Sequence, residues 1–197
     1  MNAHESFINT LSAIVPLPRD QAAKLKEIAR PLEIEKGQSF IRTGEIPDRL
    51  GFLVSGLFRY YYLTPGGQEF TKGFFRDRSI LSSYSAMIQG RESFFTIQAL
   101  EDSQILEIRY RNWKPLVENH LCWSRIMLAL VEKGFCIKEA RERAFLLDSA
   151  EERYREFLAA FPGLDRRVRQ HMIASYLGIT PVALSRIRKR MGLVNPG

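Results

Sequence analysis

The sequence predicts an α+β protein in three consecutive parts: a glycine-punctuated β unit, one long helix, and a small helical unit at the C-terminal end. Three observations carry this prediction. Between Leu32 and about Arg109, short runs rich in Ile, Val, Phe, Tyr and Thr alternate with glycines, as in Leu50-Gly51-Phe52-Leu53-Val54 and Leu57 to Leu63. Evenly spaced strands with turn signals indicate a barrel or sandwich rather than a parallel α/β sheet. From about Leu116 to Leu147 there is no proline and only Gly134, so the periodicity turns helical. Finally, charge is segregated. Arg166, Arg167, Arg169, Arg186, Arg188, Lys189 and Arg190 lie in the last thirty-two residues with no acidic side chain. The chain totals 29 Lys+Arg against 22 Asp+Glu, so these seven account for the whole net charge of +7.

A basic excess confined to one small unit points to a polyanionic partner, most often nucleic acid. The 197 residues, 45% hydrophobic and 26% charged, suit one large soluble domain or two small ones. No apolar run reaches membrane-spanning length. Met1-Asn2-Ala3-His4-Glu5-Ser6 lacks the basic start and apolar core of a signal peptide, so a cytoplasmic location is expected. Cys122 and Cys136 cannot build a disulfide framework. On one helix they stand about 21 Å apart along the axis, which excludes a bridge between them. They read as buried thiols, with redox sensing as the alternative.

Taken in order, Asp20 to Ala29 predicts a short helix, with Ala22, Leu25, Ile28 and Ala29 on one face and Pro31 as a break. The strands follow, and Thr64-Pro65-Gly66-Gly67 is a hairpin turn because glycine supplies the positive φ such turns need. On the long helix, Leu121, Leu128, Val131 and Phe135 fall at coiled-coil-like spacing, while Ile126, Leu130, Ile137 and Ala140 widen the apolar girth. A helix apolar on more than one side covers two surfaces. These are its own β unit and a second subunit, or a single core if the chain is monomeric. Ser149 and Glu152 have capping-box spacing and start a new helix, whose stripe of Tyr154, Phe157, Leu158 and Phe161 stops at Pro162-Gly163.

The segment Gln170 to Lys189 is the strongest signal. Ile173, Leu177, Ile179, Leu184 and Ile187 stand where a helix-turn-helix keeps its shared core, and Ala174 is small enough for a close crossing. Gly178 sits at the turn, Thr180 can cap the second helix, and Pro181 suits its first position. On a helical wheel Leu184, Ile187 and Met191 point inward, while Val182, Ser185, Arg186 and Lys189 point outward, flanked by Arg188 and Arg190. Such a face fits the major groove. Arg186 is the candidate for bidentate readout of guanine, and Val182 for contact with a thymine methyl. Thr180, Ser185, Arg188 and Lys189 suit the phosphate backbone. Arg166, Arg167 and Arg169 either contact phosphates or fringe the unit.

This order of parts resembles the Crp/Fnr family of bacterial transcription regulators. The resemblance rests on Lys36-Gly37, Thr43-Gly44-Glu45, Phe52-Leu53-Val54-Ser55-Gly56-Leu57 and Gly66-Gly67-Gln68-Glu69. The Glu151-Glu152-Arg153-Tyr154 start and the Ala174 to Thr180 core extend it. It implies a cyclic-nucleotide-binding-like β-roll of double-stranded β-helix or jelly-roll type over 1–115, a dimerisation helix over 116–148, and a DNA-binding helix-turn-helix domain over 149–197. After Gly192-Leu193-Val194 three residues remain, too few for a two-stranded wing, so a truncated wing is expected. The implied partners are double-stranded DNA and a second copy of the chain, with RNA polymerase as a further candidate.

The effector site departs from the family pattern. Cyclic-AMP-binding members carry a Gly-Glu pair and, ten residues after the glutamate, an Arg-Ser pair that hold the ribose and the phosphate. A gap-free placement puts Ser82 and Ser83 at the first pair and Ser93 and Phe94 at the second. A phosphate without its arginine loses a charge-assisted bond worth roughly 1.5–3 kcal/mol. Lys138 and Glu139 occupy the positions of purine-contacting hydroxyls. An effector other than cyclic AMP, or none, is therefore expected, with Ser82, Ser83, Tyr84, Arg91, Ser93 and Phe94 as the candidate pocket. A shifted register would bring Arg91 in as the basic group. No cysteine cluster or histidine spacing suggests a metal or haem cofactor. The serines at 82, 83, 85 and 93 lack an Asp/His relay, so catalysis is not expected. The competing reading is a small-ligand-binding module whose basic tail contacts a protein or RNA.

Overall fold

The computed structural model describes residues 2–193. Two helices, α1 (Ala3–Ser12) and α2 (Arg19–Ile28), precede the β unit. The sequence reading passes over α1, although Asn2 and Glu5 form a full capping box, side chain to amide in both directions. Phe7 of α1 is buried and stacks on Phe52 at 4.3 Å, which fastens the helix to the sheet below. Pro31 does not break the chain into a loop. It lies in β1 (Arg30–Ile34), at a sheet edge, where a residue without an amide hydrogen is tolerated.

The other strands are β2 (Ser39–Ile41), β3 (Arg49–Ser55), β4 (Leu57–Leu63), β5 (Glu69–Arg76), β6 (Ile80–Leu81), β7 (Thr96–Ala99) and β8 (Ser103–Arg109). They form two four-stranded sheets of order β1-β8-β3-β6 and β2-β7-β4-β5, all pairs antiparallel. Both sheets contribute to one buried interior that includes Phe40, Leu53, Phe58, Tyr60, Phe95, Ile97 and Ile105. This is the expected roll. The β4–β5 hairpin turns through Gly67 at φ +79°, with the Thr64 amide bonded to the Gln68 carbonyl at 2.9 Å. A six-residue helix, α3 (Tyr84–Gln89), follows β6.

The long helix begins differently from the expectation. A helix α4 (Tyr110–Asn119) contains Pro115, and a break at His120 separates it from α5 (Leu121–Leu147). His120 is extended, and its Nδ1 accepts from the Cys122 amide at 3.2 Å, capping α5. Packing supplies the reason. Trp113 and Trp123 meet edge to face with ring centroids 5.3 Å apart, whereas an unbroken helix would hold them about 15 Å apart along its axis. Trp123 also donates its indole N–H to buried Gln21 at 2.9 Å. The start of α5 is thus locked into the core, but every residue from Val131 to Ala140 is exposed. Cys122 is buried and Cys136 exposed, so only one fits the expectation of buried thiols.

The C-terminal unit consists of α6 (Ala150–Ala160), a 3-10 turn at Leu164–Arg166, α7 (Gln170–Leu177) and α8 (Pro181–Arg190). Its core gathers Tyr154, Phe157, Ile173, Ala174, Leu177, Leu184 and Ile187, and takes in Leu57 and Phe74 from the roll. The expected truncated wing falls on residues 194–197, outside the described residues.

Candidate nucleic-acid interface and sensor site

The turn between α7 and α8 is built as its residues dictate. Gly178 has φ +70°, and a Cβ there would stand 2.8 Å from the Phe145 ring. Glycine is therefore required both by backbone conformation and by the close approach of α5. Thr180 caps α8 by accepting from the Ala183 amide at 3.1 Å, and Pro181 opens the helix. With Leu184 and Ile187 buried below, Val182, Ser185, Arg186 and Lys189 stand on the exposed face. Arg169, just before α7, is also exposed.

The flanking cations behave otherwise. Arg188 is nearly buried, donates to the Tyr154 hydroxyl at 2.8 Å and stands 3.5 Å from Asp165. This departs from the expectation of a phosphate-facing side chain: the acid at 165 draws it beneath α8. Its Nε is buried without a hydrogen-bond partner among the described residues. Arg190 pairs with Glu151 at 2.9 Å. Arg167 grips Glu101 of the roll through two bonds of 3.0 and 2.6 Å, and this grip lowers the Glu101 carboxyl below its ordinary range. Arg167 is thus a fastening between units.

Contacts distant in sequence hold α7 against β5. Ser175 Oγ accepts from the Thr71 amide at 2.8 Å and lies 3.2 Å from the Glu69 carbonyl. Glu69 in turn pairs at 2.5 Å with Arg59, which is buried and also donates to Thr71 Oγ1. Arg141 of α5 completes the joint by donating to the carbonyls of Lys72, Thr71 and Tyr176. Its guanidinium lies 4.0 Å over the Tyr176 ring, and burial lowers its pKa. No local pattern marks Arg141 or Ser175, because their partners come from other elements.

In the roll, the expected pocket residues do not converge. Ser83 and Ser93 are fully buried and hydrogen-bonded to each other at 2.8 Å, and Ser93 also bonds the Phe95 carbonyl. The Ser82 amide donates to the Tyr60 hydroxyl at 2.9 Å, and burial raises the Tyr60 pKa far above the usual phenol value. Tyr60 is sandwiched by Phe75 at 4.0 Å and Phe95 at 5.2 Å. Arg91 and Phe94 are exposed, and Tyr84 instead lines a small cavity with Trp113 and Met127. The sequence reading missed Lys72. Its ammonium lies 3.7 Å over the Phe95 ring, and burial, aided by Lys138 and Arg141, lowers its pKa to about 8.

Comparison with known proteins agrees with this geometry. Residues 31–120 match the family model of the cyclic nucleotide-binding domain. The chain is 24% identical to electron transport regulator A of Shewanella oneidensis, over 96% of this chain and 80% of that protein. FixK2 from Bradyrhizobium japonicum superposes with TM-score 0.73 at 17% identity, covering 84% of this chain and 85% of its own. A Eubacterium rectale protein assigned to the crp/fnr family of transcriptional regulators gives TM-score 0.73 at 19% identity, over 96% and 91% of the two chains. The chain thus shares the fold of these proteins, and its residues 31–120 match the cyclic nucleotide-binding domain model.

Proposed function

We propose that the chain is a sequence-specific DNA-binding transcription regulator that acts as a homodimer. The observation that carries this reading is the outer face of α8, where Val182, Ser185, Arg186 and Lys189 are exposed together above the buried Leu184 and Ile187. Two such helices related by a two-fold axis would enter successive major grooves about one DNA turn apart. Arg186 reads guanine through its planar fork and Val182 meets a thymine methyl. Ser185, Lys189, Arg169 and the Thr180-Pro181 helix start position the backbone. The dimer forms through α5, whose Leu121, Leu128, Val131 and Phe135 are 62%, 58%, 44% and 64% exposed in the single chain. Apolar side chains uncovered in a row at this spacing support pairing with a second copy.

Arg186→Ala tests the readout. It is expected to cost about 1–3 kcal/mol on the preferred site while leaving random duplex nearly unaffected. Equal losses on both, in fluorescence titrations at fixed salt, would refute the assignment. The sensor role passes to an effector other than cyclic AMP, or is lost. Supporting this, the two ends of the phosphate cassette, Ser83 and Ser93, are bonded to each other. Calorimetry with cyclic AMP is expected to register no micromolar binding, and a micromolar isotherm would overturn this point.

A further inference from the structure

The seam between α5 and the C-terminal unit contains a groove of about 240 Å³. Its walls include apolar Ile137, Ala144, Phe145 and Leu177, and its charged groups are Arg141, Arg143 and Arg153 against the single acid Glu156. Among the described residues, none of the three guanidiniums has a carboxylate within ion-pairing distance. Arg153 bonds the Leu177 carbonyl through Nε and the Asp148 carbonyl through Nη1. Arg141 bonds carbonyls through its two Nη atoms only. Both lie 5.2 Å from the Phe145 ring. Carbonyls and ring faces offset part of each charge and leave donors over, Nη2 on Arg153 and Nε on Arg141. Three cations against one acid that pairs with none of them, with guanidinium donors left over on partly buried Arg141 and Arg153, suit an anion.

We infer that this groove binds a small monocarboxylate, its carboxylate on Arg141 and Arg153 and its apolar body against Phe145 and Leu177. A groove of this volume accommodates a small organic acid such as benzoate or hexanoate. Pairing of two α5 helices would leave the groove open. At about 100° per residue, Ile137 and Ala144 stand roughly 180° and 160° around the helix from Leu128. Because Arg141 also bonds Tyr176 of α7, the ligand would sit at the joint that orients the DNA-facing unit. The site does not depend on the DNA-binding reading.

Direct calorimetry on the full chain with benzoate and hexanoate, and with neutral benzamide as the control, tests it. Both carboxylates are expected to bind, and benzamide at least about tenfold more weakly. Arg153→Met should weaken benzoate by about tenfold or more. Ile137→Trp, at an exposed position on the groove wall, should block it without touching the core. No heat from either carboxylate up to about 10 mM, equal binding of benzamide, or unchanged binding in both variants would overturn the inference.

Discussion

Lys72 is held where its charge is disfavoured. It is half-buried between the roll and α5, with Lys138 and Arg141 adding repulsion, and its pKa is lowered to about 8 from 10.5. The Phe95 ring at 3.7 Å returns part of the lost solvation. Between pH 8 and 10.5 the unfolded chain holds a proton that the folded chain has released. Stability from this group therefore rises as pH rises through that window, and the full cost applies below it. The shift corresponds to about 3 kcal/mol, and solvent screening at a half-buried site reduces it to about 2 kcal/mol. Lys72→Met is expected to stabilise the fold by about 2 kcal/mol at neutral pH. The difference from the parent should shrink toward pH 10. Chemical denaturation at several pH values reads both effects, and a variant less stable than the parent at pH 7 would contradict the account. The same scale shows where sequence reading stops. Arg186 and Arg188 are two residues apart and equally basic, but Asp165 and Tyr154, from other elements, hold Arg188 under the helix.

At the scale of elements, local signals were legible and distant ones were not. Gly178, Thr180 and Pro181 mark the helix-turn-helix because the turn needs positive φ, a cap and a residue without an amide hydrogen, all within a few positions. The strands were legible from glycine spacing, and the exposed stripe on α5 from its heptad. The break at His120 was not, because it answers to Trp113 meeting Trp123. Docking of α7 on β5 was not either, since the bond from Thr71 to Ser175 joins residues 104 apart. The serines at 83 and 93 were legible as a loss of charge, but not as partners for each other. The α5 stripe yields a direct test. Phe135 is 64% exposed in the single chain, so Phe135→Asp costs the monomer little. In a paired helix the same change would bury charges against each other. Sedimentation velocity is expected to show a dimer for the parent and a monomer for the variant, with unchanged circular dichroism. An unshifted parent and variant would remove α5 as the pairing surface.

Across the whole molecule, the net charge of +7 resides in one end, but its seven cations are not equivalent. Arg167, Arg188 and Arg190 are ion-paired with Glu101, Asp165 and Glu151, acids that lie before the basic segment in the chain. Arg166, Arg169, Arg186 and Lys189 have no ion pair among the described residues, and these four form the free basic surface. Folding thus spends part of the segregated charge on fastening the unit and leaves part for a polyanion. Each phosphate neutralised on duplex DNA releases condensed counterions and adds about 0.9 to the slope of log K against log salt. In a dimer, Lys189→Gln removes two phosphate contacts, so the slope should flatten by about two on specific and random duplex alike. Arg167→Gln also removes one cation per chain, but its guanidinium faces Glu101, so the slope should hold while thermal stability falls slightly. Affinity measured on one duplex from about 50 to 200 mM salt separates the two variants. If both flatten the slope equally, net charge governs binding and the partition into fastening and free cations fails.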